Sequence, residues 1–357
     1  MQSAFARNYS LDAARGILMM LGVVLHASNI YSISDGWLVE DRERNQTFEA
    51  ISNAIHVFRM PAFFWIAGFF CALTFEKNGA GGLVRKRLPR LFIPLFSTWI
   101  TLNLAQELFK ASITGQNMAG AVLDGIPLYH LWFLIDLMLF IGLAAALLPQ
   151  LKRFVALGKR LETVPFWLML PILALFSAAA SVAARATGHA YDSVLGLTTL
   201  YRLATHLPFF AAGIYMYAHP GARLTFLRTP MLLVVATLPL AIYAGKYTHG
   251  QGLLIGEFAV LIEAFMVWLS VAAVLRLFHD LVRRDTYVTR FLSDSAYSVY
   301  LFHHILVVML GSALLDYQIG AWLKFSIVCG TSLVVSALIH RLVISRNRVA
   351  HMLFNGK

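Results

Sequence analysis

Charge is what this sequence has least of. Only 13% of its 357 residues are Asp, Glu, Lys or Arg, while 59% are hydrophobic and the mean hydropathy is +0.69. Soluble domains carry about 25% charged and about 45–50% apolar residues, so an aqueous surface cannot be built from this chain. The shortage excludes a soluble enzyme or binding module and points to an all-α, polytopic membrane protein. It also governs the formal charge of +11. The basic residues have to be placed relative to a bilayer first, and no nucleic-acid role is read from them. Cysteine is nearly absent as well. Cys71 and Cys329 both lie inside apolar runs, which excludes a disulfide framework and leaves them as small packing side chains. A soluble-domain stretch, a low-complexity segment, a clear internal repeat and a Gly-x-Ser-x-Gly elbow are all missing too.

What the chain does have is apolar runs. A spanning helix needs about 20 mostly apolar residues at about 1.5 Å each. Ten stretches qualify, near 11–33, 53–76, 91–110, 127–149, 164–184, 199–217, 230–248, 253–275, 292–314 and 321–343. Pro165, Pro171, Pro208 and Pro239 interrupt or begin helices in the middle of this set. The first run is too long for a secretory signal, contains Arg15, and is followed by no small-x-small cleavage site.

With the N-terminus inside, 20 of the 29 Lys and Arg residues fall on inner segments and seven on outer ones, while Arg15 and Arg59 lie within helices. The positive-inside rule then puts both termini in the cytoplasm. One transmembrane domain over residues 1–357, without a soluble domain, is expected. The longest outer connection, roughly 34–52, carries Asp35, Glu40, Asp41, Glu43 and Glu49 against Arg42 and Arg44, together with Trp37. A solvated loop and a lid over a polar substrate both fit it.

Charged side chains at a helix centre cost about 2.5 kcal/mol or more, so they usually face a polar cavity. The first two runs hold Arg15, His26, His56 and Arg59. Eleven helical steps return to within about 20° of the start, so Arg15 and His26 share one face, about 16 Å apart along the axis. Arg15 falls near the cytoplasmic mouth and His26 in the outer half of the bilayer. The second helix descends from outside, so Arg59 reaches the depth of His26, and His56 lies one turn further out. A snorkelling Arg15 and a His26 bonded to a backbone carbonyl would explain the first pair equally well.

Four elements in order along the chain resemble the membrane acyltransferase-3 family. Arg15 with His26, in LDAARGILMMLGVVLH, resembles its R-x10-H signature. Arg87-Leu-Pro-Arg90, within RKRLPRLFIP, resembles its R-x-x-R element. His130-Leu-Trp-Phe-Leu134 resembles a helix start of the family, and Ser295-Ala-Tyr-Ser-Val-Tyr-Leu-Phe-His303 its ninth-helix motif. The stretches LMMLGVVLHASNIYS, IHVFRMPAFFWIAGFF and LPFFAAGI are similar to the branch that succinylates osmoregulated periplasmic glucans.

The resemblance implies an enzyme of the inner membrane that moves an acyl group from cytoplasmic acyl-CoA to a glycan hydroxyl on the far side. For this branch the donor is succinyl-CoA and the acceptor a periplasmic glucan, with no permanently bound cofactor and no metal. His26 is then the general base. Arg15, Arg87 and Arg90 bind the phosphates of coenzyme A. Arg85 and Lys86 serve either that purpose or topology alone. Arg59 either pairs the succinyl carboxylate, which must be partnered when buried, or forms a structural pair with Glu257 or Glu263.

Asp12, one turn before Arg15, orients it. His56, His130, Trp132, Glu257 and His303 are supporting or acceptor-side candidates, with His206 and His304 as further cavity residues. For Trp132, sugar stacking and the interfacial aromatic belt are both open. Lipid surrounds the helices, and a homodimer is admitted although no motif asks for one. The competing readings are O-acetylation of another envelope polysaccharide and, in a different class, a polar-solute transporter or flippase. A covalent acyl-enzyme is neither demanded nor excluded.

Overall fold

Apolar runs broken by Gly, Pro and short polar stretches become helices throughout. The computed structural model describes residues 8–155, 164–230, 232–233 and 253–356, apart from the side chains of 151–155 and 253–258. In chain order the helices are α1 (Tyr9–Ile30), α2 (Gln46–Thr98), α3 (Leu104–Thr114), α4 (Met118–Leu123), α5 (Trp132–Val155), α6 (Phe166–Ala186), α7 (Leu200–Ala218), α8 (Pro220–Leu227), α9 (Leu253–Leu281), α10 (Tyr287–Leu314), α11 (Ala321–Ile339) and α12 (Arg348–Asn355). A two-residue ribbon, Ser193–Val194 against Thr198–Thr199, precedes α7.

Among the described residues, seven segments are long and apolar enough to cross a membrane: Tyr9–Ile30, Gln46–Thr114, Tyr129–Gln150, Phe166–Ala186, Ala259–Leu281, Tyr287–Leu314 and Ala321–Ile344. The chain is an all-α, multi-pass membrane protein. The 69-residue segment Gln46–Thr114 takes in two of the ten expected spans, 53–76 and 91–110. Its helical path is broken between them at Gly79 (φ 67°, ψ −176°), a left-handed conformation that a side chain would strain. The expected span at 199–217 is the 19-residue helix α7, which is not one of the seven. The one at 230–248 lies almost wholly outside the described residues.

The chain forms two interleaved compact units, each gathering three separate stretches. One holds Met1–Leu18, His56–Lys86 and Leu139–Arg290. In it α6 packs against α7 and α9. The buried Trp268 of α9 stacks on Phe209, 4.1 Å between centroids, and its indole N–H donates to Ser177 Oγ at 2.8 Å. Glycine lets α2 and α7 touch backbone to backbone. A Cβ on Gly213 would stand 2.0 Å from the Trp65 carbonyl oxygen, and one on Gly68 2.0 Å from that of Phe210.

Gly213→Ala must therefore push two helices apart. It is expected to cost about 1–3 kcal/mol and lower the unfolding midpoint in detergent. Gly142→Ala, where the new methyl meets nothing within 4 Å, leaves the midpoint unchanged or raises it, because Ala is the better helix former. Equal midpoints for the two variants would contradict the close approach.

The other unit holds Met19–Ile55, Arg87–Met138 and Phe291–Lys357. Its core joins Val23, Ala27 and Ile30 of α1 to Phe48 of α2, Val299, Val307 and Val308 of α10, and Val328 of α11. Positions 23, 27 and 30 follow the i, i+4, i+7 spacing of one helix face. Two π-helical turns interrupt the long helices of this unit, Trp99–Asn103 before α3 and His340–Ile344 after α11. Such turns are rare and frequent near functional sites.

The segment between α1 and α2, residues 31–45, is tied down rather than loose. The Asp41 N–H donates to Ile30 O at 2.9 Å and the Asn45 N–H to Tyr31 O at 2.8 Å. Lys324 Nζ reaches Asp41 Oδ2 at 2.8 Å, both side chains being at most 3% exposed. Glu43 Oε2 accepts the Ala321 N–H at 2.9 Å at the start of α11.

Candidate active site

Four histidines from three separate stretches of sequence meet in the second unit. His26 comes from α1, on the face carried inward by Val23, Ala27 and Ile30. His303 and His304 come from α10, where Ala296, Val299, Tyr300, His303 and Val307 form a buried stripe of helical period. His130 sits in a single 3₁₀ turn, Tyr129–Leu131, just ahead of α5. The ring centroids of His26 lie 5.4 Å from His303 and 5.0 Å from His304. Those of His130 lie 4.7 Å from His304, nearly parallel, and 5.3 Å from His303. The Trp37 indole of the 31–45 segment closes one side, 6.2 Å from His26 at 22° and 6.3 Å from His304.

The turn that delivers His130 is held by the π-helical stretch. Asn103 Nδ2 donates to the carbonyls of Pro127 (2.9 Å) and Leu128 (3.1 Å), and Trp99 Nε1 to Ile126 O (2.8 Å). These bonds fix the chain just before Tyr129, a non-glycine residue at φ 46°. That conformation costs energy and persists where surroundings impose it, often at functional sites. Tyr129 donates its hydroxyl to Glu107 and sets its ring 5.2 Å from His304. Glu107 also pairs with Lys110 at 3.2 Å. Tyr300 donates its hydroxyl to the His130 carbonyl at 2.7 Å.

Hydrogen bonds assign protons on two of the rings. His304 Nδ1 lies 2.7 Å from Gln106 Oε1. His303 Nδ1 lies 2.7 Å from Tyr300 O and 3.0 Å from Val299 O. A carbonyl oxygen can only accept, so Nδ1 carries the proton in both. In the neutral ring the lone pair is then on Nε2, the nitrogen able to take a proton.

The sequence expectations divide between the two units. His26, His130 and His303 come together as described, and His304 joins them. Trp132 follows directly at the start of α5, its ring 6.4 Å from Phe133. Arg87 and Arg90 belong to this unit too. Arg90 is exposed and its carbonyl accepts the Tyr297 hydroxyl at 3.4 Å.

Asp12, Arg15, His56, Arg59 and Arg85 belong to the first unit. Arg15 pairs with Asp12 at 3.4 Å in the expected i,i+3 arrangement, and its guanidinium lies over Phe70 at 5.7 Å. Arg59 Nη2 contacts Met60 Sδ at 3.5 Å. His56 and Arg85 are exposed. His206 donates Nδ1 to Arg202 O at 2.9 Å and packs on Phe64 at 4.7 Å. The Glu257 side chain lies outside the described residues. Sequence reasoning missed Gln106, Glu107, Tyr129, Tyr300 and the fully buried Asp136 of α5. Glu107 and Asp136 did leave a signal, each being an acidic residue inside an apolar run.

Glucans biosynthesis protein C of Escherichia coli K12 is 26% identical, covering 98% of this chain and 95% of its own length. The protein of the same name from Shigella dysenteriae serotype 1 gives the same values. No solved structure matches. The family model of the acyltransferase domain matches residues 8–341, which includes every residue of the histidine cluster: the chain belongs to the acyltransferase-3 family.

Proposed function

We propose that this protein is an inner-membrane O-succinyltransferase that modifies periplasmic glucans, with His26 as the general base. The observation that carries the reading is the convergence of His26 with His130, His303 and His304 beside Trp37. It has the titratable groups an acyl transfer needs, and one of them, His26, is on the helix that also carries Arg15. Ten spans with both termini cytoplasmic fit it, since Arg15 then faces the cytoplasm and His26 the outer half of the bilayer.

In this scheme Arg15, Arg85, Arg87 and Arg90 hold the phosphates of acyl-CoA, each guanidinium offering a planar fork to phosphate oxygens. Asp12 orients Arg15. The thioester lies about 16 Å along α1, at His26. A glucan hydroxyl entering from the other side loses its proton to the imidazole as its oxygen forms a bond to the thioester carbonyl. The tetrahedral intermediate collapses with cleavage of the C–S bond, and the thiolate of coenzyme A takes the proton back from His26. His130, Trp132 and His303 lie on the acceptor side. The name shared by the relatives, glucans biosynthesis protein C, supports a glucan as acceptor.

Arg59 gives the donor selectivity: its guanidinium pairs the succinyl carboxylate, which acetyl lacks, while His56 lies a turn away on the same helix. The test combines purified protein with succinyl-CoA and periplasmic glucan, following free thiol and the anionic charge gained by the glucan. Thiol release coupled to charge is expected, and a carrier would give neither. In Arg59→Gln, kcat/KM with succinyl-CoA is expected to fall about tenfold or more while that with acetyl-CoA holds. An equal loss on both donors would remove Arg59 from donor selection. Thiol release only with acetyl-CoA and another envelope glycan would keep the acyltransferase and sink the succinyl assignment.

A further inference from the structure

We propose that the 31–45 segment and the first turn of α11 form an extended acceptor site that holds several sugar units of one glucan chain. One unit lies at Trp37, beside the histidine cluster, and further units lie in a cavity around Trp322. The inference rests on the glucan acyltransferase reading and adds a second carbohydrate subsite to it.

The cavity measures about 430 Å³ and is lined by Glu43, Arg44, Asn45, Phe48, Trp322 and Leu323 among others, within the range of about 300–1,000 Å³ common for ligand sites. Trp322 is 51% exposed, and its ring is braced from behind by Phe48 at 4.4 Å. The negative face of an aromatic ring attracts the slightly positive C–H face of a sugar, and a braced indole loses little entropy when it is covered. The polar groups on the rim suit hydroxyls. One oxygen of Glu43 is held by the Ala321 N–H, leaving the carboxylate a second acceptor. Asn45 uses its carbonyl oxygen to cap α2 through the Thr47 N–H, a bond that leaves its NH₂ donors unspent.

The same geometry disfavours an anionic headgroup. Arg44 is already committed to Ser32 O at 2.7 Å, Ile33 O at 2.8 Å and Asp35 at 2.7 Å, with Glu40 at 3.4 Å. A neutral, hydroxyl-rich ligand is what remains. Continuity links the two ends of the site. One short stretch carries both Trp37, against His26 and His304, and the Glu43–Asn45 wall of the cavity. The Asp41–Lys324 and Glu43–Ala321 contacts join that stretch to the helix bearing Trp322. A glucan seated at the histidine cluster has, in this proposal, the 31–45 stretch and Trp322 as the surface on which to continue.

Chain-length dependence tests this. Trp322→Ala is assayed with succinyl-CoA and either long periplasmic glucan or a glucose disaccharide. The KM for long glucan is expected to rise about tenfold with kcat unchanged, while the disaccharide kinetics stay at the wild-type level and show that the variant is folded. Trp322→Tyr, which keeps an aromatic face, is expected to restore most of the loss. An unchanged glucan KM, or an equal loss on both acceptors, would overturn the subsite and assign Trp322 to the interfacial aromatic belt. Calorimetric titration of wild type and Trp322→Ala with glucan separates the two proposals. Weakened binding in the variant, when wild type transfers nothing, leaves the subsite standing and fails the reaction. Unchanged binding fails the subsite whatever the assay shows.

Discussion

His26→Ala is expected to lower kcat for acyl transfer by about 10²–10⁴-fold, the usual contribution of a positioned general base, while the KM for acyl-CoA changes little. The asymmetry follows from the layout. In the proposed scheme Arg15, Arg85, Arg87 and Arg90, and not the imidazole, hold the donor's phosphates, so loss of the ring removes an interaction of the transition state and not of the bound donor. Three other imidazoles are grouped with His26, adjacent ring centroids lying 4.7–5.4 Å apart, and they make the experiment sharper. His303 and His304 both present Nε2 as the lone-pair nitrogen, because carbonyl oxygens hold their Nδ1 protons, so these two rings are the ones arranged to substitute. If His26→Ala retains transfer and either His303→Ala or His304→Ala loses it, the base is that ring, and the family resemblance has pointed to the wrong ring of a correct cluster. If all three variants keep full rate, the cluster is not the reaction centre. Thiol release and product charge are read together, which separates loss of transfer from diversion to hydrolysis.

How far this cluster is legible in the sequence differs residue by residue. His26 interrupts an apolar run, where the cost of a polar imidazole inside a membrane draws attention to it, and His303 is reached through the ninth-helix motif. His130 is reachable through the HLWFL motif. Its position depends on something periodicity does not encode: Asn103 and Trp99, in a π-helical turn, bind the carbonyls of residues 126–128 and leave Tyr129 at positive φ. Glu107 leaves a signal as an acidic residue inside an expected span, while its neighbour Gln106 passes as a boundary residue, although both are buried. The helices themselves follow from composition, because a run of about 20 apolar residues has little choice but to span. The break at Gly79 is less legible. The Gly-rich stretch 79–82 marks a turn between two spans, while the helical hydrogen bonding runs on to Thr98 on either side of one left-handed glycine.

The 31–45 segment is where sequence reasoning has least to work with and where the second large effect is expected. Acids and arginines in alternation describe a solvated loop or a lid equally well, and nothing in their order pairs Asp41 with a lysine 283 positions away. That ion pair is buried, with Lys324 at 3% and Asp41 at 1% exposure. Removing one member strands a desolvated charge, so Lys324→Met and Asp41→Asn should each destabilise the protein by about 3–5 kcal/mol, read as a lowered unfolding midpoint in detergent.

The double variant Asp41→Leu with Lys324→Met strands nothing, and replacing a buried pair by apolar groups is often neutral or stabilising. Its midpoint is expected to lie well above those of the single variants. Additive losses would mean that the pair is not the source of the effect. Activity then separates anchoring from folding. In the proposed acceptor site Asp41 holds Trp37 and the cavity wall through one segment, so the double variant, stable again but with a salt bridge replaced by a less directional contact, should show a raised KM for glucan and an unaltered KM for acyl-CoA. A wild-type glucan KM in that variant would mean that packing around Val39 and Tyr31, both buried in the core of this unit, is enough to hold the segment in place without the charge pair.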